Sequence, residues 1–313
     1  MKIYNGTESF KAVNPVVTIG IFDGVHLGHQ QLLKRIKDVS QQISGETVVL
    51  TLWPHPRLVL GDSTGKVQLL STLDEKIKLI EKEGVDHLVI FPFDLSFAAI
   101  PYEKFIEDYF VHAIKAAHIV IGFNHRFGKG RKGGFEQLQE RSAKFGYSVE
   151  RLNQIVEEGY AVSSSEIRNL ISNGNIHIAN RLLGYKYPLE GKVVEGKKLG
   201  RQLGFPTANI QTKGENKLVP AKGVYAALIE IEGSLYKGML NIGYRPTLTQ
   251  QVHRLTIEMH IFNFSQNIYG KDVKILFVEK LRDERKFLNA GELKLQLETD
   301  EKSSLLVFEK HNL

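Results

Sequence analysis

The 313-residue chain contains no cysteine, which excludes disulfide bonds and thiolate metal sites. Its longest apolar runs, such as residues 88–93, are far too short to cross a bilayer. The first ten residues also lack the apolar core of a signal peptide. A chain without cysteine fits a reducing compartment. We therefore expect a cytoplasmic protein that has no membrane-spanning segment.

The chain also lacks a long basic arm and any tract in which aromatic and basic residues are interleaved. It is nevertheless basic overall, with a formal net charge of +6 at pH 7, which favours anionic partners. Most basic residues are interleaved with acidic ones, as at 74–76 (DEK) and 81–83 (EKE). The charge pattern therefore predicts small phosphorylated ligands and no nucleic-acid partner.

Strand-like apolar runs alternate with helical patterns through residue 183. The predicted strands are residues 16–21, 47–52, 87–91, 118–122 and 148–152. The predicted helices are residues 30–43, 73–83, 102–117, 135–145 and 164–172. Repeated β–α alternation predicts a parallel sheet with helices on both faces and ligands at the carboxyl ends of the strands.

The pattern changes after residue 185, where short strand-like segments follow one another without helices. These segments are residues 189–194, 223–231, 236–242, 254–262 and 272–277. Residues 291–308 then read as a closing helix. The second half is predicted to be an antiparallel sheet or barrel, which gives two domains, 1–185 and 186–313.

A short motif, His26-Leu27-Gly28-His29, lies between the first predicted strand and the first predicted helix. A strand, a glycine turn and a helix N-terminus form the usual setting of a phosphate site. Two imidazoles three residues apart lie on one face of a helical turn, so both can contact one anion. The structural alternative is an ordinary βα turn that carries surface histidines.

Two further segments concentrate groups that bind anions. Residues 122–133 (GFNHRFGKGRKG) follow the fourth predicted strand and place four cations among glycines. Residues 162–168 (VSSSEIR) place three hydroxyls at a helix start, with Arg168 in the following turn. The structural alternatives are a solvated loop for the first segment and a capping box between Ser163 and Glu166 for the second.

The second half contains neither a Gly-x-x-x-x-Gly-Lys-Ser/Thr loop nor a protein-kinase signature. Residues 204–209 (GFPTAN) place Thr207 and Asn209 on one side of an extended chain, and their oxygens suit Mg²⁺. Taken alone, that segment is typical of a turn. Residues 254–261 alternate fully, with Glu258 on the polar face, which alone is typical of a half-buried strand.

Taken together, these segments resemble the bacterial bifunctional riboflavin kinase/FAD synthetase family, whose first half belongs to the nucleotidyltransferase superfamily. The matching segments of the first half are residues 20–29, 51–57, 122–133 and 162–168. Those of the second half are residues 204–210, 223–226, 241–247, 257–261, 281–282 and 286–287. The resemblance implies an α/β fold plus an all-β fold: a Rossmann-like nucleotidyltransferase domain, then a small antiparallel β-barrel domain with a C-terminal helix.

The same resemblance implies two reactions that both consume ATP and depend on Mg²⁺. Riboflavin is phosphorylated to FMN in the second half of the chain, and FMN is adenylylated to FAD plus pyrophosphate in the first half. The ribityl hydroxyl is neutral and needs a base, whereas the FMN phosphate is already anionic at pH 7 because its second pKa is about 6. A catalytic base is therefore expected in the kinase half alone.

In the first half, the resemblance implies that His26 and His29 bind the ATP phosphates and stabilise the charge on departing pyrophosphate. His55 and Arg57 fall in the segment near the flavin phosphate. The remaining expected ATP and phosphate positions are Gly20, Phe22, Asp23, Gly24, Asn124, Ser164, Ser165 and Arg168.

In the second half, the resemblance implies that Glu258 is the catalytic base and that Thr207 and Asn209 hold Mg²⁺ with ATP. Arg282 and Phe287 are expected near riboflavin. The positions expected to bind ATP are Gly204, Thr207, Asn209, Gly223 and Tyr225.

Two other functions compete with this interpretation. A tRNA-directed adenylate-forming enzyme also carries a motif like the histidine pair, but it needs a lysine-rich KMSKS-like loop, which this sequence lacks. A non-catalytic flavin or nucleotide sensor would have lost its catalytic positions, yet Glu258 and both histidines are present.

Overall fold

The computed structural model describes residues 1–61, 67–196, 200, 203–245 and 254–313. They form two compact units, Met1–Ser164 and Ser165–Leu313. Because compactness alone does not define a folding domain, the boundary near residue 185 stays a prediction. Within the described ranges, every helix is too short or too polar to cross a membrane.

The first unit is built on a parallel sheet, as predicted. In the described residues it has six strands in the order β1-β4-β3-β2-β5-β6, and every neighbouring pair is parallel. The strands are β1 (Lys2–Asn5), β2 (Val16–Ile19), β3 (Thr47–Trp53), β4 (His87–Pro92), β5 (His118–Ile121) and β6 (Ser148–Arg151). From β2 the chain continues through β3 and β4 toward one side of the sheet, and it then returns to β5 beside β2 and ends at β6 on the other edge. The carboxyl ends of β2 and β5 therefore flank the point where the strand order reverses, which is where open α/β sheets bind ligands.

Both faces of this sheet are buried, because successive residues of each central strand enter opposite cores. Val17 and Val48 contribute to the core that contains Phe105 and Phe110, whereas Val16 and Val49 contribute to the other, which contains helix residues Leu33 and Ile80. The helices of this unit are α1 (Leu27–Gln42), α2 (Pro56–Leu60), α3 (Leu73–Lys82), α4 (Leu95–Ala98), α5 (Tyr102–Phe105) and α6 (Phe135–Phe145).

The helix predicted over residues 102–117 differs from the observed structure. Only Tyr102–Phe105 is α-helical, and Ile106–Ala113 continues as a π-helix. The buried residues Phe105, Phe110 and Ile114 recur every four or five positions, a spacing wider than the 3.6 residues of an α-turn. The sequence analysis also missed β1, α2 and α4, which are only four or five residues long.

The second unit is a closed antiparallel barrel, which confirms the all-β prediction. Its strand order is β10-β13-β12-β11-β14-β9, with β9 pairing to β10 and closing the ring. The strands are β9 (Pro188–Val194), β10 (Thr207–Thr212), β11 (Gly223–Ile231), β12 (Ser234–Arg245), β13 (Arg254–Ile261) and β14 (Asp272–Arg282). The first unit adds the two-residue strands β7 (Val156–Glu157) and β8 (Tyr160–Ala161).

Among the described elements of this part of the chain, helices precede and follow the barrel strands in the sequence. They are α7 (Ser164–Ser172), α8 (Ile176–Leu183) and the closing helix α9 (Ala290–Lys310). The side chain of Asn180 on α8 donates to the carbonyl of Phe277 at 2.9 Å and accepts from the Tyr187 backbone N–H at 2.8 Å. Phe308 of α9 is buried with Ala226 and Met239 in a core on the barrel surface. The predicted motif residues Arg201, Gln202, Pro246 and Thr247 lie outside the described residues.

Candidate active sites

The histidine motif lies at the strand-order reversal of the parallel sheet, directly after β2. His26 has extended backbone angles and is the N-cap of α1, with its side chain accepting from the His29 backbone N–H at 3.4 Å. The two imidazoles stack at 3.7 Å between ring centroids, with an interplanar angle of 15°. A Cβ at Gly28 would come within 3.2 Å of His26 Nδ1, so glycine at this position leaves room for the ring. The prediction that both imidazoles share one side of the helix start is confirmed.

The histidine pair lies in a cluster of basic groups. The ring Nδ1 of His29 is buried and has no hydrogen-bond partner among the described residues. Burial lowers the pKa of His29 well below its ordinary value, and the neighbouring His26, Lys76 and His125 lower it further. His29 is therefore neutral at pH 7 and its surroundings favour an anion.

Asp23 organises the turn that precedes the motif. Its buried carboxylate accepts from the backbone N–H groups of Leu70 at 3.1 Å and Ser71 at 2.9 Å. The Ser164 hydroxyl donates to the Asp23 backbone carbonyl at 2.9 Å. These contacts give Asp23 a positioning role, since they hold the 22–24 turn to two other segments.

Glycines at the same turn are explained by close packing. Gly24 has a φ of +82°, which L side chains rarely adopt, and a Cβ at Gly20 would come within 2.9 Å of the buried Phe22 ring. Phe22 also contacts His29, with 4.9 Å between ring centroids. The predicted phosphate positions Gly20, Phe22 and Gly24 therefore shape the backbone around the histidine pair.

The basic loop after β5 is held in an ordered turn. Phe127 and Gly133 exchange backbone hydrogen bonds of 3.1 and 2.9 Å, and Lys129 N–H donates to Ile100 O at 2.7 Å. A Cβ at Gly133 would clash with the Phe127 ring and with the Tyr102 Cβ. Gly133 thus permits protein packing, whereas a Cβ at Gly122 would meet nothing within 4 Å.

Within this loop Asn124 is exposed and His125 is half-buried. The ring Nε2 of His125 is buried and has no hydrogen-bond partner among the described residues. Burial lowers the pKa of His125 to about 4, with a smaller contribution from Arg131. Four cations of the loop are exposed to solvent, namely Arg126, Lys129, Arg131 and Lys132.

His55 and Arg57 lie at the start of α2, directly after β3. The buried His55 side chain is the N-cap of this short helix and accepts from the Arg57 backbone N–H at 3.1 Å. The side chain of Arg57 is exposed. Ser165 and Arg168 lie in the first two turns of α7, in the second unit.

The polar face of the barrel gathers the residues predicted for the kinase. In the register of β10 and β13, Thr207 lies opposite His260 and Asn209 lies opposite Glu258. Residues paired across an antiparallel ladder point to the same face of a sheet, so the four side chains share one face. Glu258 also pairs with Asn241 of β12. The expected alternation of residues 254–261 is confirmed, because Ile257 and Met259 are buried on the opposite face.

The segment before Thr207 is not a free turn. The His260 ring nitrogen Nδ1 lies 2.8 Å from the Pro206 carbonyl, and the His260 ring packs edge-on against Phe205. Strand β10 starts at Thr207, where it begins to pair with β13, and it pairs with β9 from Asn209 onward. Gly204 has a φ of +89°, in the region that favours glycine.

The other predicted kinase residues are held by the protein itself. Gly223 has a φ of +144°, and a Cβ there would come within 2.5 Å of the Arg282 carbonyl. The fully buried Tyr225 ring packs edge-on against Phe277, and its hydroxyl donates to the Ala221 carbonyl. Burial raises the pKa of the Tyr225 phenol well above its ordinary value. Tyr225 therefore serves the barrel interior.

Arg282, at the end of β14, makes a two-pronged ion pair with Asp300 of α9. Its Nε and Nη2 atoms lie 2.9 and 2.7 Å from the two carboxylate oxygens. Asp300 is almost fully buried and also accepts from Gln296 at 2.7 Å. Phe287 packs beneath the guanidinium of Arg282, with 5.8 Å between charge and ring centroid.

Sequence reasoning missed three residues at these sites: Lys76, His125 and Asp300. His125 lies inside a segment selected for its lysines and arginines. Lys76 was noted only as a basic residue interleaved with acidic ones, although it lies three residues after Leu73 and four before Ile80 on the apolar side of α3. That spacing was the available signal.

The described residues contain no cluster of three or more His, Asp or Glu that could hold a metal ion by themselves. A cation that arrives with a nucleotide needs few protein ligands, since phosphates and water supply the others. The Thr207 hydroxyl and the Asn209 amide oxygen fit this limited role, because they share one face next to Glu258.

Comparison with known proteins divides the chain in the same way as its two folds. The FAD synthetase family profile matches residues 10–166, and the riboflavin kinase family profile matches residues 183–308. A solved structure described as a macrolide-efflux protein from Streptococcus pneumoniae is similar over 97% of this chain and 98% of its own, with 29% identity and a TM-score of 0.87.

Full-length relatives combine both activities in their names. A bifunctional riboflavin kinase/FMN adenylyltransferase of Bacillus subtilis is 36% identical over 94% of this chain and 92% of its own length. A relative of the same name from Haemophilus influenzae is 37% identical over 93% of this chain and 94% of its own length. The chain therefore belongs to the bifunctional riboflavin kinase/FMN adenylyltransferase family.

Proposed function

We propose that the chain makes FMN at the polar face of its barrel and FAD at the histidine pair of its parallel sheet. One contrast carries this assignment. The barrel face presents the carboxylate Glu258 beside Thr207 and Asn209, whereas the sheet presents imidazoles within a basic cluster. The first arrangement suits a neutral nucleophile and the second suits an anionic one.

At the barrel, the oxygen of the terminal ribityl hydroxyl attacks the γ-phosphorus of ATP while Glu258 accepts the proton of that hydroxyl. The new O–P bond forms as the bond to the bridging oxygen of ADP breaks. Thr207 and Asn209 would hold Mg²⁺ together with the ATP phosphates, where the cation would offset their negative charge. Arg282 and Phe287 are proposed to border the flavin.

At the sheet, an oxygen of the FMN phosphate attacks the α-phosphorus of ATP, and the bond to the β-phosphate oxygen breaks. No proton has to be removed, so alignment and charge stabilisation suffice. His26 and His29 donate N–H groups to the oxygens of departing pyrophosphate. The stacked rings and the capped helix start hold these donors in place before the reaction.

Asn124, Ser164, Ser165 and Arg168 are proposed to complete the nucleotide site, with His55 and Arg57 near the flavin phosphate. Their roles rest on the family resemblance. The cytoplasmic location and the lack of a nucleic-acid partner stay predictions.

The assignment is tested by separating the two activities in the full chain. Glu258→Ala should lose FMN formation from riboflavin by at least about 100-fold, yet still convert supplied FMN to FAD. His26→Ala/His29→Ala should show the reverse pattern. The flavins are separated chromatographically after incubation with Mg-ATP. Loss of both activities in either variant, with the protein folded, would contradict the assignment of sites to domains.

A further inference from the structure

Lys76 is a buried cation for which the described residues supply no hydrogen-bond acceptor. The side chain is 1% exposed, and its Nζ has no hydrogen-bond partner among the described residues. The ammonium lies over the ring of Trp53, with 5.2 Å between Nζ and the ring centroid. Buried lysines are ordinarily paired, because an unpaired ammonium loses its hydration without replacement. Lys76 Nζ can therefore accept a partner that the described residues do not provide.

The charged groups around Lys76 belong to the adenylyltransferase site. Asp23 raises the pKa of Lys76, but burial dominates and lowers it to about 8. The Asp23 carboxylate is engaged by the backbone N–H groups of Leu70 and Ser71. On the other side, the charge of Lys76 is one of the causes that lower the pKa of His29. Lys76 thus lies within electrostatic range of the histidine pair.

The histidines supply hydrogen-bond donors but little charge. His29 and His125 have pKa values below 7 and are neutral at that pH, whereas Lys76 is mainly protonated. Substrate phosphates and departing pyrophosphate carry several negative charges. A full positive charge beside neutral donors completes the electrostatics of such a site.

We propose that Lys76 is a further cationic ligand for substrate phosphate at the His26–His29 site, held against Trp53 until the anion arrives. The four-carbon stem lets Nζ move toward a phosphate while α3 stays in place. This inference rests on the proposed phosphate site. Phosphate chemistry is shared by the β- and γ-phosphates of ATP and by the phosphate of FMN, so the test has an arm for each source.

The variant that tests the proposal is Lys76→Met, which keeps the length and apolar stem of the side chain. Lys82→Met is the matched control, because it removes an exposed cation from the last turn of the same helix. Trp53 emission during urea unfolding checks that the first unit of each variant is folded, and FMN formation from riboflavin checks the other half of the chain.

In the first arm, calorimetry measures the binding of inorganic pyrophosphate to the full chain. We expect Lys76→Met to weaken it by roughly 10- to 100-fold, the range for a lost charge-assisted hydrogen bond, and Lys82→Met to leave it unchanged. In the second arm, the adenylylation assay gives KM for FMN. A rise of similar size in that arm alone would place Lys76 at the flavin phosphate.

The His26→Ala/His29→Ala variant separates this inference from the proposed site. The double variant could lose pyrophosphate binding while Lys76→Met changes neither pyrophosphate binding nor KM for FMN. That result would contradict the proposed role of Lys76 and would still support the phosphate site at the histidine pair. If neither variant changes any of these quantities, the phosphate site itself is contradicted. Loss of pyrophosphate binding in Lys76→Met alone would support the proposed role of Lys76 and would contradict the proposed role of the histidines.

Discussion

A single buried ammonium makes the stability of the first unit depend on pH. The pKa of Lys76 is lowered to about 8 in the folded protein, against an ordinary value of 10.5. Between these two values the unfolded chain binds the proton and the folded chain does not. The free energy of unfolding therefore rises as the pH increases from 8 to 10.5, and the full penalty of burial is present below pH 8.

Lys76→Met should therefore stabilise the first unit at pH 7, by up to roughly 3 kcal/mol on the basis of this shift. The gain should shrink between pH 8 and 10. Trp53 is the one tryptophan of the chain and lies against Lys76, so its emission during urea unfolding reports on this unit. A wild-type chain and variant whose stabilities differ by the same amount at pH 7 and pH 10 would contradict the prediction.

At the scale of single residues, the sequence predicted where side chains lie better than which contacts they make. The spacing of His26 and His29 correctly placed both rings together, because a helical turn fixes where residues three apart lie. Asp23 is predicted at a phosphate site, and the structure adds that its carboxylate accepts from the backbone N–H groups of Leu70 and Ser71. That contact joins segments 47 residues apart, and no local pattern encodes such a distant partner.

At the scale of elements, one ion pair joins the closing helix to the barrel. Asp300 of α9 is buried, and both of its carboxylate oxygens accept hydrogen bonds from Arg282 of β14. Removing one partner of a buried pair leaves the other without compensation, which typically costs 3–5 kcal/mol. Because Arg282 is partly exposed, we expect the lower end of this range.

Asp300→Ala should destabilise the second unit by about 3 kcal/mol, which corresponds to a loss of roughly 6–12 °C in the midpoint of heat inactivation. The measurement is residual FMN formation after heating, with FAD formation from supplied FMN as the internal reference. Asp272→Ala is the control, because Asp272 and Lys213 form an exposed pair worth at most about 1 kcal/mol. Equal inactivation of both variants would show that the buried pair adds nothing.

Element prediction succeeded where a long periodic pattern met a clear end signal. Helix Phe135–Phe145 was predicted to the residue, and the structure ends it at Gly146 in a left-handed conformation. It failed for Thr207–Thr212, since Pro206 and a polar sequence indicate a turn locally, whereas two neighbouring strands impose pairing on both sides. Helix Ile176–Leu183 was missed although its apolar residues recur helically, because it is only two turns long.

At the scale of the whole molecule, the two chemistries should be separable between chains. The histidine pair and Glu258 lie on separate folds, and the intermediate FMN is a stable small molecule. A mixture of Glu258→Ala and His26→Ala/His29→Ala chains should therefore convert riboflavin to FAD, after a lag while free FMN accumulates. Time courses of riboflavin, FMN and FAD measure this. FMN that accumulates without being converted to FAD by the mixture would contradict independent sites.

The closure of the barrel also sets the order in which the chain can mature on the ribosome. Strand β9 pairs with β14, so Leu189 cannot pair until its partner Ile275 has been synthesised. The parallel sheet, in contrast, has all its strands once β6 has emerged. A nascent chain that stops before residue 272 leaves β9 and β11 each with an open edge, because β14 is their shared neighbour. Open edges are templates for association with other chains. Premature termination between the end of β13 and the start of β14 should therefore yield an aggregating product in which the first unit is already folded.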